Sequence, residues 1–399
     1  MIESASQANC KTGLVLPGGG ARAAYQVGVL RALADLLPPR APNPFPVITG
    51  TSAGAINATE IAIHAERFRL ATMNLERVWR NFSVNQVFRA DTLSMFRGSM
   101  HWFLAMISAG WLLPPPKSLF DNQPLRELLD ENFDFADIAG SIKSGHLEAL
   151  AISAAGYSSA RSVTFFQGLT DSQSWQRIRR CGVRTDITLD HLMASVAVPF
   201  LFPPVLMNEE YFGDGSMRQA TPFSAAIHLG ADRLLVVGTR NEGRPERRQT
   251  PRIPSFGQIF GYMLDALFSD GLTSDLERIN QLNDVLRLVG PVRTANASLK
   301  PLDLMVISPS RDLSEIARTH TNSLPRTLRT LLRSMGAMNA GGGQLMSYLM
   351  FEGSFTRELI ALGYSDAMAR DDEILSFIRG APVASSATST QRLHEISRV

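Results

Sequence analysis

Two strand–turn–helix units near the start of the chain constrain its fold most. The first joins a short apolar strand to the glycine run Gly18-Gly19-Gly20 and a helical pattern over Ala21–Leu37. The second joins a strand over Val47–Thr49 to the turn Gly50–Gly54 and a helical pattern over Ala53–Leu70. Strand, helix, strand, helix in this order predicts a parallel sheet covered by helices, and therefore an α/β fold.

The later chain continues this alternation of apolar strands and helical segments. Predicted strands are Leu147–Ala154, Ser162–Phe166, Arg233–Gly238 and Leu304–Ile307, and predicted helices are Leu189–Ser195, Phe223–Leu229, Phe256–Leu286 and most of Leu313–Arg379. An aromatic-rich irregular section over Arg80–Pro116 is predicted as an insertion, and Arg240–Pro254 as a linker.

Composition excludes several classes of protein. The net charge is +2 and no basic stripe with interleaved aromatic residues occurs, so nucleic acid is not an expected partner. Cys10 and Cys181 show no disulfide framework or metal spacing. No signal-peptide pattern begins the chain, and the longest apolar run, Met100–Leu113, is shorter than the roughly 18 residues that span a bilayer. A cytoplasmic protein is expected.

The turn Gly50-Thr51-Ser52-Ala53-Gly54 fits G-x-S-x-G, which presents a nucleophilic serine between a strand and a helix. Small residues flank Ser52, as a crowded and strained turn requires. The backbone N–H of Ala53 would lie at a helix N-terminus, where it could join an oxyanion hole. The alternative is a serine that only caps a helix.

Gly18-Gly19-Gly20 ends a strand and begins a helix, an arrangement that binds anions through backbone N–H groups. One interpretation is an oxyanion hole. Another is a dinucleotide site for an oxidoreductase, because Gly18-x-Gly20-x-x-Ala23 satisfies the loose fingerprint. The second predicted strand ends without the acidic residue that would bind the ribose, which weakens this interpretation.

A serine nucleophile needs a base, and none of the seven histidines is convincingly placed. His320 is the only one placed loosely like the late-loop histidine of an α/β-hydrolase, and nothing around it resembles a site. Asp214 lies between Gly213 and Gly215 after an aromatic strand, so a sharp turn could present its carboxylate. Burial would raise its pKa and make it a better base. An Asp-Gly hairpin turn is the alternative.

Taken in order, these motifs resemble the patatin-like phospholipase family: Gly18-Gly19-Gly20-Ala21-Arg22, Gly50–Gly54, the segment Ala194–Val205 (ASVAVPFLFPPV) and Asp214-Gly215. The resemblance implies a three-layer αβα fold with a mostly parallel central sheet and a helical C-terminal extension. It implies that Ser52 is the nucleophile and Asp214 the general base of a dyad. Gly18, Gly19, Gly20 and Ala53 would form the oxyanion hole. Arg22 would steady the loop or contact negative charge on the substrate or its phosphate.

The implied activity is hydrolysis of fatty-acyl esters, such as phospholipids, through an acyl-enzyme, without metal or cofactor. The expected domains are 11–310 for the hydrolase with an insertion near 80–116, 311–380 for the helical extension and 381–399 for a disordered tail. The aromatic segment Met100–Leu113 suits a lid or a peripheral membrane contact, or else core packing. A homo-oligomer stays open, and so does a catalytically silent lipid-binding scaffold.

Overall fold

A computed structural model describes residues 10–89, 118–241, 243, 253–289, 300–339 and 342–380. The expected tail 381–399 and the aromatic segment 100–113 lie outside these residues, as do most of the expected insertion and most of the expected linker.

The described residues form one mixed sheet of ten strands. Its path runs β10-β9-β1-β2-β3-β4-β6-β5, and a hairpin of β7 and β8 pairs with β3 beside this path. The strands are β1 (Thr12–Leu16), β2 (Val47–Thr51), β3 (Ala149–Gly156), β4 (Ser162–Gly168), β5 (Trp175–Gln176), β6 (Arg180–Arg184), β7 (Val205–Met207), β8 (Glu210–Asp214), β9 (Arg233–Val237) and β10 (Asp303–Ile307).

The five strands β10, β9, β1, β2 and β3 are mutually parallel, which confirms the predicted parallel core. Antiparallel pairs occur toward the other edge, where β4 pairs with β3 and β5 with β6. The predicted neighbours over Leu147–Ala154 and Ser162–Phe166 are therefore adjacent strands.

Helices cover both faces of the sheet. They are α1 (Ala24–Leu36), α2 (Ala53–Ile63), α3 (Phe68–Arg80), α4 (Val84–Val87), α5 (Gln123–Asn132), α6 (Ala136–Lys143), α7 (Leu189–Ser195), α8 (Ser224–His228), α9 (Phe256–Val289), α10 (Leu313–Thr319), α11 (Arg326–Ser334), α12 (Gly343–Leu349), α13 (Gly353–Met368) and α14 (Asp371–Ile378). No described helix is both long and apolar enough to cross a membrane.

Alternate strand residues supply two separate hydrophobic cores. Leu14 and Ile48 belong to the larger core, whereas Val15 and Val47 belong to a smaller core that α8 and α9 also line. Because neighbouring strand residues point to opposite faces, this division gives an αβα arrangement of three layers.

The helices after β10 pack against the N-terminal part of the chain. Helix α13 lies along α1, and the two backbones approach closely at Gly28 and Gly363, where an added Cβ would meet Ile360 O and Tyr25 O respectively. A division of the chain at 310/311 stays a prediction.

The single helix predicted over Ala53–Leu70 is wrong, because two helices, α2 and α3, meet at His64–Arg67. Helix α2 is buried on nearly every side, whereas α3 buries one stripe that includes Phe68, Leu75 and Trp79. No glycine or proline marks the break. The chain changes direction where the buried helix α2 gives way to the half-exposed helix α3, and the helix propensities of His64–Arg67 do not encode this change.

Candidate active site

Ser52 occupies a strained turn between β2 and α2. Its φ of 53° and ψ of −132° lie in a region that non-glycine residues rarely adopt. Such a conformation costs of order 1–3 kcal/mol and persists only where the surroundings impose it. Here, an added Cβ at Gly50 would meet Ala55 Cα, and one at Gly54 would meet Leu16 O. Both glycines of the motif are thus required by close backbone packing.

Asp214 reaches the same place through strand pairing. It ends β8, which runs antiparallel to β3, and its partner on β3 is Ala154. Strand β2 runs parallel to β3 and ends with Thr51 opposite Ser153, one residue before the position that pairs with Asp214. Successive residues of β3 therefore hold the ends of β2 and β8, and Ser52 and Asp214 face each other across this junction.

The carboxyl group of Asp214 is fully buried. Its Oδ1 accepts a hydrogen bond from Ser216 N at 2.9 Å, and its Oδ2 has no hydrogen-bond partner within the described residues. Burial raises the pKa of Asp214 to about 6, an effect partly offset by the nearby Ser52 hydroxyl and by hydrogen bonding from Ser216. The Ser52 hydroxyl is near enough to the Asp214 carboxylate to lower its pKa, although no hydrogen bond joins the two groups. Catalytic contacts are often loose without substrate.

A buried serine that the sequence interpretation did not single out supports the turn. Ser52 N donates to Ser195 Oγ at 2.9 Å, and Ser195 Oγ donates to Ser153 O at 2.7 Å. Ser195 is completely buried and ends α7. The available signal was its place in the Ala194–Val205 segment that carries the family resemblance. Ser195 therefore ties the backbone of the turn to β3.

The glycine loop borders the same cavity through Gly20. Gly20 and Ala53 line the cavity with Ser52, whereas Gly18 and Gly19 pack against Phe268 and Thr239. The N–H groups of Gly18 and Gly19 have no hydrogen-bond acceptor in the described part of the chain. Gly20 has a φ of 53° and lies against Tyr348 O, so only glycine fits there without strain.

Arg22 is buried behind this loop and its donors are engaged. Its Nε donates to Ser347 Oγ at 2.9 Å, and its NH1 group donates to Asp265 Oδ1 at 3.1 Å and to Tyr348 OH at 2.9 Å. Its guanidinium also lies 3.9 Å from the centre of the Tyr348 ring. Of the two roles expected for Arg22, these contacts favour steadying the loop over binding substrate.

The five histidines within the described residues are engaged elsewhere. Their polar contacts are His64–Glu60, His146–Ser144, His191–Thr188, His228–Ser224 and His320–Glu358. None of the five lines the Ser52 cavity. His320, the one placed as in an α/β-hydrolase, is 2.8 Å from Glu358 in the C-terminal helices. Asp214, and not one of these histidines, is therefore the candidate base beside Ser52.

The cavity beside Ser52 is narrow and apolar. Its volume is about 40 Å³, and its walls include Trp79, Phe202, Leu264 and Phe268. An apolar groove of about 540 Å³, lined by Leu119, Phe120, Phe200, Leu201, Phe256, Phe260, Met263, Leu331, Leu332, Met335, Leu345 and Leu349, lies next to it. Leu201 and Leu349 line both spaces. The described residues contain no cluster of ligands suited to a metal ion.

A strained G-x-S-x-G turn, a buried carboxyl group and an apolar cavity on a mostly parallel sheet are features of α/β acyl hydrolases. The family model for patatin-like phospholipases matches residues 14–227, which is more than half of the 399 residues. The chain therefore belongs to the patatin-like phospholipase family, which confirms the resemblance read from its motifs. Membership implies hydrolysis of lipid esters.

The individual proteins that the chain is similar to share a quarter of their residues with it or fewer. The chain is similar to a cGAMP-activated phospholipase of Pseudomonas aeruginosa, with 25% identity over 266 residues that cover 64% of this chain and 70% of the relative. Among solved structures it is similar to VipD from Legionella pneumophila, with a TM-score of 0.38 and 14% identity, covering 92% of this chain and 69% of VipD. It is also similar to ExoU of Pseudomonas aeruginosa, solved in complex with SpcU, with a TM-score of 0.26 and 14% identity, covering 96% and 83% of the two chains. The family assignment rests on the family model and not on these structures.

Proposed function

We propose that the chain hydrolyses fatty-acyl esters, as a phospholipase A or esterase, with Ser52 as nucleophile and Asp214 as general base. The observation that carries the proposal is the pairing of both β2 and β8 with β3, since it brings Ser52 and Asp214 together. Membership of a phospholipase family leaves the oxidoreductase alternative without support.

In the proposed reaction, the Asp214 carboxylate takes the Ser52 hydroxyl proton while Ser52 Oγ attacks the ester carbonyl carbon. The tetrahedral oxyanion receives hydrogen bonds from N–H groups of the Gly18–Gly20 loop and of Ala53. Collapse of this intermediate expels the alcohol, which takes the proton back from Asp214. A water molecule then gives a proton to Asp214 and attacks the acyl-enzyme, and collapse releases the fatty acid as Ser52 Oγ leaves and takes the proton back from Asp214.

The surroundings of Ser52 support an acyl substrate. Apolar side chains surround the serine, so a fatty-acyl chain would be bound by burial of apolar surface. A cavity of about 40 Å³ has room for water but not for such a chain, so the wall must move when substrate enters. The adjoining apolar groove, reached past Leu201 and Leu349, would then extend the acyl site.

Exposed apolar side chains on the groove rim suit contact with aggregated lipid. Phe200, Phe256 and Met263 line the groove and are 65%, 64% and 52% exposed. Apolar side chains at this level of exposure can insert at a lipid–water boundary. We therefore propose that the protein takes its substrate from a lipid surface by peripheral contact.

Labelling with a fluorophosphonate probe tests the nucleophile and the base. We expect wild type to be labelled and to hydrolyse a fatty-acyl ester, Ser52→Ala to lose both activities, and Asp214→Asn to lose hydrolysis and most labelling. Ser334→Ala and Asp130→Asn, on the exposed surface, are the matched controls. Wild-type labelling of Ser52→Ala would show that the nucleophile is another residue. A wild-type protein that neither labels nor hydrolyses would support the lipid-binding scaffold instead.

A further inference from the structure

A basic groove lies beside the candidate active site, between the β5–β6 hairpin, the segment Ser216–Thr221 and helix α9. The larger of its two spaces has a volume of about 900 Å³. A second space of about 570 Å³ continues along α9 and is lined by four of the same residues, Arg177, Arg180, Thr221 and Ser224. We call the two spaces together the basic groove.

Positive charge dominates the lining of the basic groove. Its charged side chains are the cations Arg177, Arg179, Arg180, Arg218, Arg278 and Lys300 and the carboxylates Asp232, Asp270 and Asp275. Asp275 is buried and accepts a hydrogen bond from Phe223 N at 3.1 Å, and Asp232 accepts one from Lys11 N at 3.1 Å. Two of the three carboxylates are thus already engaged with backbone N–H groups.

The exposed arginines of the basic groove form no direct ion pairs within the described residues. No carboxylate of the described residues lies within ion-pair distance of Arg177, Arg179, Arg180 or Arg218. Arg180 is half-buried and donates to Thr221 Oγ1. Burial lowers the pKa of Arg180, and the nearby charges of Arg278 and Arg177 lower it further, against a partial opposing effect of Asp275. An anion bound between these side chains would relieve this repulsion.

The basic groove shares a wall with the candidate active site. Ser216, which lines the groove, donates its backbone N–H to the Asp214 carboxylate at 2.9 Å. Gln219, also in the lining, accepts a hydrogen bond from Thr51 Oγ1 at 2.8 Å and donates one to Ser153 Oγ at 3.1 Å. The segment that holds the candidate base thus also borders the cluster of arginines.

We propose that the basic groove binds the phosphate group of an anionic ligand. Guanidinium groups bind phosphate oxygens in a planar, two-point manner, and several arginines without an ion pair in the described chain surround one space here. The phosphate can belong to a lipid headgroup or to a small soluble molecule. The charges carry this inference, so it does not depend on the proposed hydrolysis.

Binding of two probes tests the proposal and separates the two sources. One probe is inorganic pyrophosphate, titrated by calorimetry, and the other is phosphatidylcholine vesicles with or without phosphatidic acid, followed by co-sedimentation. The variant is Arg177→Gln/Arg218→Gln, which removes two exposed charges from the groove. The matched control is Arg287→Gln/Arg311→Gln, which removes two exposed charges elsewhere.

We expect the groove variant to lose at least about tenfold in affinity, the size expected when charge-assisted hydrogen bonds are removed, and the control to bind like wild type. Pyrophosphate binding that shows this loss supports a soluble ligand. Binding confined to vesicles with phosphatidic acid, with the same loss, supports a lipid headgroup. The proposal is overturned if wild type binds neither probe, if the groove variant binds as well as wild type, or if the control loses as much affinity.

Fluorophosphonate labelling of the same proteins keeps this test separate from that of the proposed function. Labelling reports the reactivity of Ser52, whereas the two binding measurements do not require it. A protein that binds pyrophosphate but is not labelled would support the phosphate site and contradict the proposed hydrolysis. A labelled protein that binds neither probe would support Ser52 as the nucleophile and overturn the phosphate site.

Discussion

The two sides of the candidate active site are positioned by different physical means. The elbow side consists of the Gly18–Gly20 loop and Ser52, and positive φ angles at Gly20 and Ser52 shape its backbone. The hairpin side consists of β7, β8 and Asp214. There the backbone of Asp214 is ordinary, with φ −50° and ψ 131°, but its carboxyl group is completely buried.

This difference shows where each side stores unfavourable free energy. On the elbow side it lies in backbone conformation, which close packing around Gly50 and Gly54 imposes. At Asp214 it lies in the desolvation of a carboxyl group whose Oδ2 has no partner in the described chain. The positive φ angles of the hairpin side, at Asn208 and Glu209, lie in the β7–β8 turn and not at Asp214. Both forms of cost are expected where a fold supports chemistry and not stability alone.

Among changes that leave both Ser52 and Asp214 in place, the largest effect is expected from Gly20→Ala on the elbow side. The added Cβ would lie 2.5 Å from Tyr348 O, and the positive φ would be strained as well, so the loop must shift. Displacement of an oxyanion donor lowers kcat on the order of 10²–10³-fold. Steady-state hydrolysis of a fatty-acyl ester measures this loss.

Gly145→Ala is the control for Gly20→Ala, because Gly145 has a φ of 77° with open space around its Cβ position. It should lose stability from the same strain but keep its kcat. If Gly20→Ala retains wild-type kcat, the loop does not contribute to the oxyanion hole.

On the hairpin side, Asp214→Asn should stabilise the protein while it removes activity. The pKa of Asp214 is about 6 in the folded protein, above its ordinary value of 3.8, so the folded state disfavours the charged form. Stability is therefore lost as pH rises from about 4 to about 6, and the neutral amide avoids this loss. A gain of about 2 kcal/mol is expected above pH 7, since a shift of one pKa unit corresponds to about 1.4 kcal/mol and the buried amide leaves some polar groups unpaired.

Denaturant unfolding across this pH range measures the gain, which should disappear below about pH 4, because the wild-type carboxyl group is then neutral too and only the cost of the unpaired amide remains. Asp130→Asn, at an exposed position, should stay within about 0.5 kcal/mol of wild type. A stability gain for Asp214→Asn that does not vary with pH would contradict the assigned cause.

The same carboxyl group should set the acid limb of the activity profile. A general base acts in its charged form, so kcat/KM should fall about tenfold for each pH unit below about 6. Stopped-time assays with a soluble ester over pH 4 to 8 would give the profile. A limb near the ordinary aspartate pKa would show that burial does not tune the base, and any residual hydrolysis by Asp214→Asn should lack the limb.

The elbow side could be predicted from the sequence because its parts are adjacent in the chain. A strand, a glycine turn and a helix follow one another at Gly18–Gly20 and again at Gly50–Gly54, and both units form, although the second helix ends at Ile63 and not at Leu70. The parallel core follows from the same alternation. The short strands β5 and β6 were not predicted, because Trp175–Gln176 and Arg180–Arg184 lack the apolar run that marks a buried strand.

The hairpin side depends on contacts between distant parts of the chain. Asp214 meets Ser52 only because β3 pairs with both β2 and β8, and strand register is not readable from a single segment. The family resemblance, not local pattern, paired the two residues. Arg22 shows the same limit, because its partners Asp265, Ser347 and Tyr348 lie more than two hundred residues away in sequence.

The smallest expected effect separates strain from chemistry at Ser52. Ser52→Gly and Ser52→Ala both remove the hydroxyl, but only glycine adopts a φ of 53° at little cost. Relief of strain should outweigh the greater freedom of glycine in the unfolded chain, so Ser52→Gly should be the more stable by about 1 kcal/mol. The same pair of changes at Ser334, in the last turn of α11, should give the opposite order, since glycine destabilises a helix relative to alanine by about 0.5–1 kcal/mol. Urea midpoints of the four variants measure both differences. If Ser52→Ala is the more stable of its pair, backbone strain does not position the elbow side, and the contrast with the hairpin side fails.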